Sequence, residues 1–275
     1  MPELPEVETI KSQLNSILPF KIERTFFSPL TTRIVKQKDF DLTGFTIVHI
    51  RRNAKWLIFD LQPYGYILSH LGMSGSWRMS HFPLQEKHGH IQFSNEQKTE
   101  FKILTYVDPR RFGHFYLLNE KNYNLKINTF PIDITSQNFD VDYIAELFFR
   151  NPHKMIKSFL LDQKAFPGVG NYMASEICAR AGIHPLRLVG NIEAFEIMKI
   201  KESIEIVVKG AIETKGTTFS GGYRDANGSK GDGIKHLVVF YQKYCQMCLV
   251  NKKTSLINKV MIGGRGTYYC SSCQK

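Results

Sequence analysis

The chain has 275 residues, with 43% hydrophobic and 12% aromatic content; that suits two modest domains and excludes a wholly disordered chain. Its 36 basic against 25 acidic residues leave a net charge of +11, which favours a polyanionic partner, nucleic acid or an anionic membrane surface. The opening residues Met1-Pro2-Glu3-Leu4-Pro5-Glu6 carry acids where a signal peptide has an apolar core. No run reaches the roughly 18 apolar residues of a spanning helix, and no basic amphipathic helix suits a membrane surface. A soluble, cytoplasmic, nucleoid-associated protein is expected, or a nuclear one in a eukaryote.

In chain order, Val7, Ile10, Leu14, Ile17 and Leu18 recur at helical spacing, which predicts a helix over 5–18 with Pro19 beyond its end. Short β-rich runs follow at Phe45–Ile50, Trp56–Leu61, Tyr66–Leu71, Phe101–Val107 and His114–Leu118. Turn residues such as Pro63-Tyr64-Gly65 separate them, and they read as a sandwich or barrel. Residues 119–140 are polar, Asn-rich and without a period. Helical patterns then occupy Asp142–Asn151, Met155–Asp162, Asn171–Ala181 and Ile192–Thr214. A Gly-rich loop covers 216–233.

Four of the five cysteines form two C-x2-C knuckles, Cys245/Cys248 and Cys270/Cys273, with 249–269 between them. Four thiolates in that pattern predict a closed tetrahedral site for one structural Zn2+, with no open position for chemistry. The intervening loop is somewhat longer than the roughly 15–20 residues usual for such fingers. It carries Lys252, Lys253, Lys259 and Arg265, and no acid occurs from 241 to 275, as phosphate contact would require. Cys178 stands alone among apolar residues and reads as buried and inert.

Met1-Pro2 carries a chemical possibility of its own. Removal of the initiator methionine leaves a secondary amine that titrates near the ordinary α-amino pKa of about 8. Such an amine can attack a sugar C1′ and form an iminium directly, and Glu3 or Glu6 can shuttle protons nearby. On chemistry alone, acids at a helix start equally serve its dipole.

The string Met1-Pro2-Glu3-Leu4-Pro5-Glu6-Val7-Glu8-Thr9 resembles the opening of the formamidopyrimidine-DNA glycosylase / endonuclease VIII family. Later segments are similar to family motifs in the same order: His70-Leu71-Gly72-Met73-Ser74-Gly75, Asp108-Pro109-Arg110-Arg111-Phe112-Gly113, Gly168-Val169-Gly170-Asn171-Tyr172 and Gly264-Arg265-Gly266-Thr267-Tyr268-Tyr269-Cys270. The resemblance implies an α+β multidomain protein. It would have an N-terminal β-sandwich domain with a leading helix (1–120), a linker (121–140), a helix–two-turn–helix DNA-binding domain with a lesion-capping loop at 216–233 (141–236), and a four-cysteine β-hairpin zinc finger (237–275).

It also implies roles. Pro2 would form the Schiff base, with Glu3 as general acid/base and Glu6 assisting. Lys55 would assist β-elimination and Arg265 δ-elimination. His70, His88, Lys154 and Asn171 would contact the DNA backbone, Asn171 where a Gly-x-Gly turn opens a helix. Met73, Arg110 and Phe112 would fill the gap left by an extruded nucleotide. The implied protein is a monomeric base-excision-repair glycosylase and AP lyase. It would act on double-stranded DNA containing oxidised purines (8-oxoguanine, formamidopyrimidines) or abasic sites, and cut by β,δ-elimination. Two alternatives stay open. The stretch 161–166 also resembles the endonuclease VIII branch, which prefers oxidised pyrimidines, and the scaffold can serve a non-catalytic binder of damaged DNA.

Overall fold

Leu4, Val7, Ile10 and Leu14 are fully buried, so one stripe of the first helix seals a core. A computed structural model describes residues 1–35, 41–83, 87–97, 100–219 and 222–275. The chain divides into two units, Met1–Phe130 with Ile212–Asp232, and Pro131–Ala211 with Gly233–Lys275. Of the Gly-rich loop, Ser220 and Gly221 lie outside the described residues. Among the described residues no helix is long and apolar enough to cross a membrane.

The first unit runs α1 (Leu4–Asn15), β1 (Phe20–Lys21), β2 (Arg24–Phe27), β3 (Thr46–Asn53), β4 (Trp56–Gln62), β5 (Tyr66–His70), β6 (Ser76–Ser80), β7 (Gly89–Ser94), β8 (Ile103–Val107), β9 (His114–Leu118) and α2 (Glu120–Ile127). Two antiparallel sheets result, ordered β1-β3-β4-β5-β9 and β2-β7-β8-β6. The period-2 alternation of β4 sends Leu57, Phe59 and Leu61 into the core between the sheets, with Trp77, Phe93 and Tyr106 from the second sheet. Ile47 and Ile50 both reach that core despite their odd spacing, because the β3–β4 register shifts between Ile47 and His49. The Trp77 indole donates to Ser69 Oγ at 3.0 Å and ties the sheets together. Helix α2 arises in the polar stretch without a period. Asn119 caps it by accepting the Asn122 N–H, and Tyr123 stacks on Tyr66 of the outer sheet face.

The second unit holds α3 (Val141–Phe149), α4 (Ile156–Leu160), α5 (Asn171–Ala181) and α6 (Ala194–Glu213), whose last two residues count with the first unit. After them come α7 (Gln246–Val250) and the hairpin β10 (Asn258–Ile262) and β11 (Arg265–Tyr269). Phe139, Phe148, Phe159 and Phe166 interlock in its helical core. The architecture is the expected one: a β-sandwich with a leading helix, then helices, then a β-hairpin beside four cysteines. The final residues are strapped to the end of α5. Lys275 N–H donates to Gly182 O at 2.9 Å, His184 N–H to Lys275 O at 2.7 Å, and Gln274 Nε2 to Ile183 O at 2.8 Å.

Candidate active site and nucleic-acid interface

The N-terminus is built as a capping box. Glu3 is the N-cap of α1, and Glu6 Oε2 accepts the Glu3 N–H at 2.8 Å. The other Glu6 oxygen accepts the Thr217 N–H at 2.7 Å. Pro2, Glu3 and Glu6 are all buried, whereas Met1 is half exposed. Pro2 lines a cavity of about 420 Å³ with Met73, Arg78, Arg110, Tyr223 and Arg224. Burial, and then the negative charge of Glu6 and Asp225, pushes the Tyr223 phenol far up, so its hydroxyl keeps its proton. Three arginines along one cavity wall favour an anionic or electron-rich occupant.

Lys55 lies in the two-residue turn between β3 and β4, behind Ala54 in the left-handed region at φ 50. Its side chain is buried. Arg52 of β3 ties this turn to Glu8 of α1: its Nε donates to Glu8 Oε2 at 2.7 Å, and its Nη1 donates to Ala54 O at 3.1 Å. Burial works against the Glu8 charge, yet Lys11 and Arg52 hold its carboxyl below the usual range. His70 ends β5, and its Nδ1 accepts the Gly72 N–H at 3.1 Å. Burial, then the charges of Lys55 and His114, lowers its pKa to about 4. His70 is thus neutral at physiological pH, with Nε2–H as its donor.

Met73 and Phe112 are large, apolar and 42% and 50% exposed. They sit on adjacent loops, and the Arg110 guanidinium lies 4.8 Å over the Phe112 ring. The structure brings this trio together. His88 contributes its carbonyl, which accepts the Asp108 N–H at 3.0 Å. Motif reading passed over the residue beneath the trio, Asp108, which is fully buried; its place inside Asp108-Pro109-Arg110-Arg111-Phe112-Gly113 was the available signal.

In the second unit, Asn171 opens α5 behind Gly170, and its Nδ2 donates to Gly266 O at 3.0 Å. That joins it to the residue following Arg265, which is exposed at the first position after the Gly263-Gly264 turn. Lys157, unremarked in the sequence, is fully buried and donates to Asn171 O at 2.6 Å and Ser175 Oγ at 2.9 Å. Lys154 is paired with Asp162 at 3.1 Å and lies over Phe159. Glu176 was also missed. It is buried in α5 and accepts N–H groups from Val238, Val239 and Phe240 at 2.7–3.0 Å. Cys178 is buried, and burial pushes its thiol up to about 12.

The sulfur atoms of Cys245, Cys248, Cys270 and Cys273 all lie within 4.8 Å of one another. Two pairs stand 3.8 Å apart and Cys248–Cys273 at 3.1 Å. A tetrahedron of thiolates around a metal at about 2.3 Å has edges of about 3.8 Å, so the four sulfurs fit one metal ion. Lys252, Lys253, Lys259 and Arg265 on the same module are exposed.

A sandwich domain carrying Pro2 at its first helix, a helical domain and a four-thiol hairpin together define an architecture that comparison with known proteins places. Residues 1–115 match the formamidopyrimidine-DNA glycosylase N-terminal domain, and residues 131–221 the formamidopyrimidine-DNA glycosylase H2TH domain. The chain belongs to the formamidopyrimidine-DNA glycosylase family. The formamidopyrimidine-DNA glycosylase of Wolbachia pipientis wMel is 34% identical, with 100% of each chain covered. A Lactococcus lactis Fpg variant crystallised with Fapy-dG-containing DNA is 31% identical, with full coverage of both chains and a TM-score of 0.84. MutM in complex with carbocyclic 8-oxo-G-containing DNA is 28% identical, also fully covered, with a TM-score of 0.84.

Proposed function

We propose that this chain is a monomeric base-excision-repair DNA glycosylase with AP-lyase activity. Its substrates are double-stranded DNA with oxidised purines, 8-oxoguanine and formamidopyrimidines, or with abasic sites. The observation that carries the reading is Pro2, buried beside Glu3 and Glu6 on the wall of an arginine-lined cavity of about 420 Å³. That volume lies in the range of small-ligand pockets, about 300–1,000 Å³, and accommodates an everted base. The lesion-bearing DNA in the similar crystal structures supports the same substrate class.

With Met1 in place the Pro2 nitrogen is an amide. Once Met1 is cleaved it is a secondary amine, and its lone pair attacks C1′ as the C1′–N bond to the damaged base breaks. The Pro2 nitrogen then gives up its proton as the C1′–O4′ bond opens, Glu3 protonates O4′, and the base leaves protonated. The resulting iminium acidifies the C2′–H. Loss of that proton expels the 3′ phosphate, and a second elimination expels the 5′ phosphate. Lys55 serves the first elimination and Arg265 the second. Glu6 assists by fixing the Glu3 backbone.

His70, as a neutral Nε2–H donor, and Asn171, His88 and Lys154 contact the backbone. Met73, Arg110 and Phe112 occupy the gap left by the everted nucleotide. Cys245, Cys248, Cys270 and Cys273 would hold one structural Zn2+, which would cross-link the finger and supply stability rather than chemistry. The working division is a catalytic domain at 1–120, a linker at 121–140, a DNA-binding domain at 141–236 and the finger at 237–275.

Borohydride reduction in the presence of lesion DNA tests the reading. Protein whose intact mass shows loss of Met1 should become covalently linked to an abasic oligonucleotide, and should excise 8-oxoguanine faster than thymine glycol. Faster turnover on thymine glycol would move it to oxidised pyrimidines. Absence of any adduct from demethionylated protein would leave only a DNA binder.

A further inference from the structure

The exposed trio Met73, Arg110 and Phe112 stands on two loops, Leu71–Gly75 between β5 and β6 and Pro109–Gly113 between β8 and β9, each of which crosses from one sheet to the other. Beneath them the carboxylate of Asp108 is fully buried. Its Oδ1 accepts the Ser74 hydroxyl at 2.6 Å and the Arg110 N–H at 3.3 Å. Its Oδ2 accepts the Gly113 N–H at 2.8 Å and the Tyr106 hydroxyl at 3.4 Å. One carboxylate therefore binds donors on both loops, one of them the backbone of a trio member.

The surroundings permit no slack. A Cβ on Gly72 would come within 2.4 Å of the Phe112 carbonyl oxygen, and one on Gly113 within 1.8 Å of the Tyr106 hydroxyl. The loops thus touch backbone to backbone. Asp108 is itself held from β7. Its N–H donates to His88 O, and its carbonyl accepts His90 Nε2–H at 3.0 Å. Burial keeps the His90 pKa below its ordinary value. Because the Asp108 carbonyl can only accept, the His90 proton sits on Nε2, leaving Nδ1 to accept the Ser28 hydroxyl at 2.9 Å.

We infer that Asp108 is the positioning residue of the wedge: its buried carboxylate locks the two loops into one body, so that Met73, Arg110 and Phe112 enter the duplex together. A wedge on independent loops would lose side-chain and loop entropy on every insertion, and this preorganisation removes that cost. The inference rests on the proposed function, and it separates two activities. Everting a base from duplex DNA needs the wedge. Schiff-base formation on a single-stranded abasic oligonucleotide does not.

The test compares wild type with Asp108→Asn and Tyr106→Phe on both substrates. In Asp108→Asn an NH2 replaces one oxygen and faces two donors, which should slow excision of 8-oxoguanine from duplex by about ten- to a hundred-fold. Borohydride trapping on the single strand should stay within about twofold. Tyr106→Phe removes one donor without creating a clash of donors and should give a smaller split in the same direction. Fluorescence of 2-aminopurine opposite the lesion, which reports unstacking, should lose its rise in Asp108→Asn. Equal losses on both substrates, or undiminished duplex excision by Asp108→Asn, would overturn the inference. Failure of wild type to be trapped at all would instead remove the function on which it stands, and the inference with it.

Discussion

Glu6 Oε1 accepts the backbone N–H of Thr217 at 2.7 Å, across 211 positions of sequence. The same carboxylate takes the Glu3 N–H, so one side chain fixes the segment that carries Pro2 and the base of the Gly-rich loop. Two backbone donors require two acceptor oxygens. A Glu6→Gln variant supplies one oxygen and one NH2, leaving a buried N–H opposed, at a cost of about 1–3 kcal/mol. Single-turnover borohydride trapping should slow about tenfold or more while zinc content is unchanged. An unaltered trapping rate would show that the contact does not organise the N-terminus.

Acid should weaken the fold through His70. Its folded-state pKa of about 4 lies below the ordinary value of 6.5. The unfolded chain therefore binds this proton more readily between those values, and stability falls as pH drops from 6.5 toward 4. The loss from this residue is about 1–3 kcal/mol once both pH limits are passed. Urea unfolding of wild type and His70→Gln at pH 7.5 and pH 4.5 measures it: the variant should lose less stability on acidification. Equal losses would remove His70 as the source.

Chelation of the metal should abolish binding to lesion duplex while near-UV dichroism from the Trp77 cluster persists. The finger's cysteines share their cluster with Val238, Val239 and Ala179, and Trp77 packs in the core of the first unit. Binding by the intact protein should fall steeply with salt, because each neutralised phosphate contributes a slope near −0.9 in the logarithm of the association constant against log salt. Normal affinity after zinc removal, or a flat salt response, contradicts the assigned role of the basic hairpin.

Glu176 offers a separate test of that hairpin's support. Burial raises its pKa, while three N–H groups from 238–240 favour the charged form. Glu176→Ala strands three donors ahead of Cys245 and should lower zinc retention under competing chelator by about tenfold or more. Retention equal to wild type would make the contact dispensable.

Much of this was legible in the chain itself. The alternation of Trp56–Leu61 and the helical period after Asn171 correspond to β4 and α5, and the two C-x2-C knuckles converge as their spacing predicts. β2, β6 and β7 escaped because they are short and carry few apolar residues: Ser76–Ser80 alternates but offers only Trp77 and Met79, and Gly89–Ser94 only Ile91 and Phe93. Helix α2 escaped for a related reason: its support is tertiary, through Tyr123 on Tyr66, and its composition is polar. The parts of the site that motifs left unread are those whose partners are distant in sequence. Asp108 looks like an ordinary turn acid until Ser74 and Gly113 are brought to it, and although the opening motif singled out Glu6, its contact with Thr217 had no signal in the chain.

The strap at the chain end has a practical corollary for anyone handling the protein. Lys275 both donates to Gly182 and accepts from His184, so cutting the chain ahead of Gln274 would release the end of α5 beside the cysteine module. Extensions ahead of Pro2 would cap its nitrogen for good. A label is better inserted at the β4–β5 turn, where Tyr64 is 69% exposed.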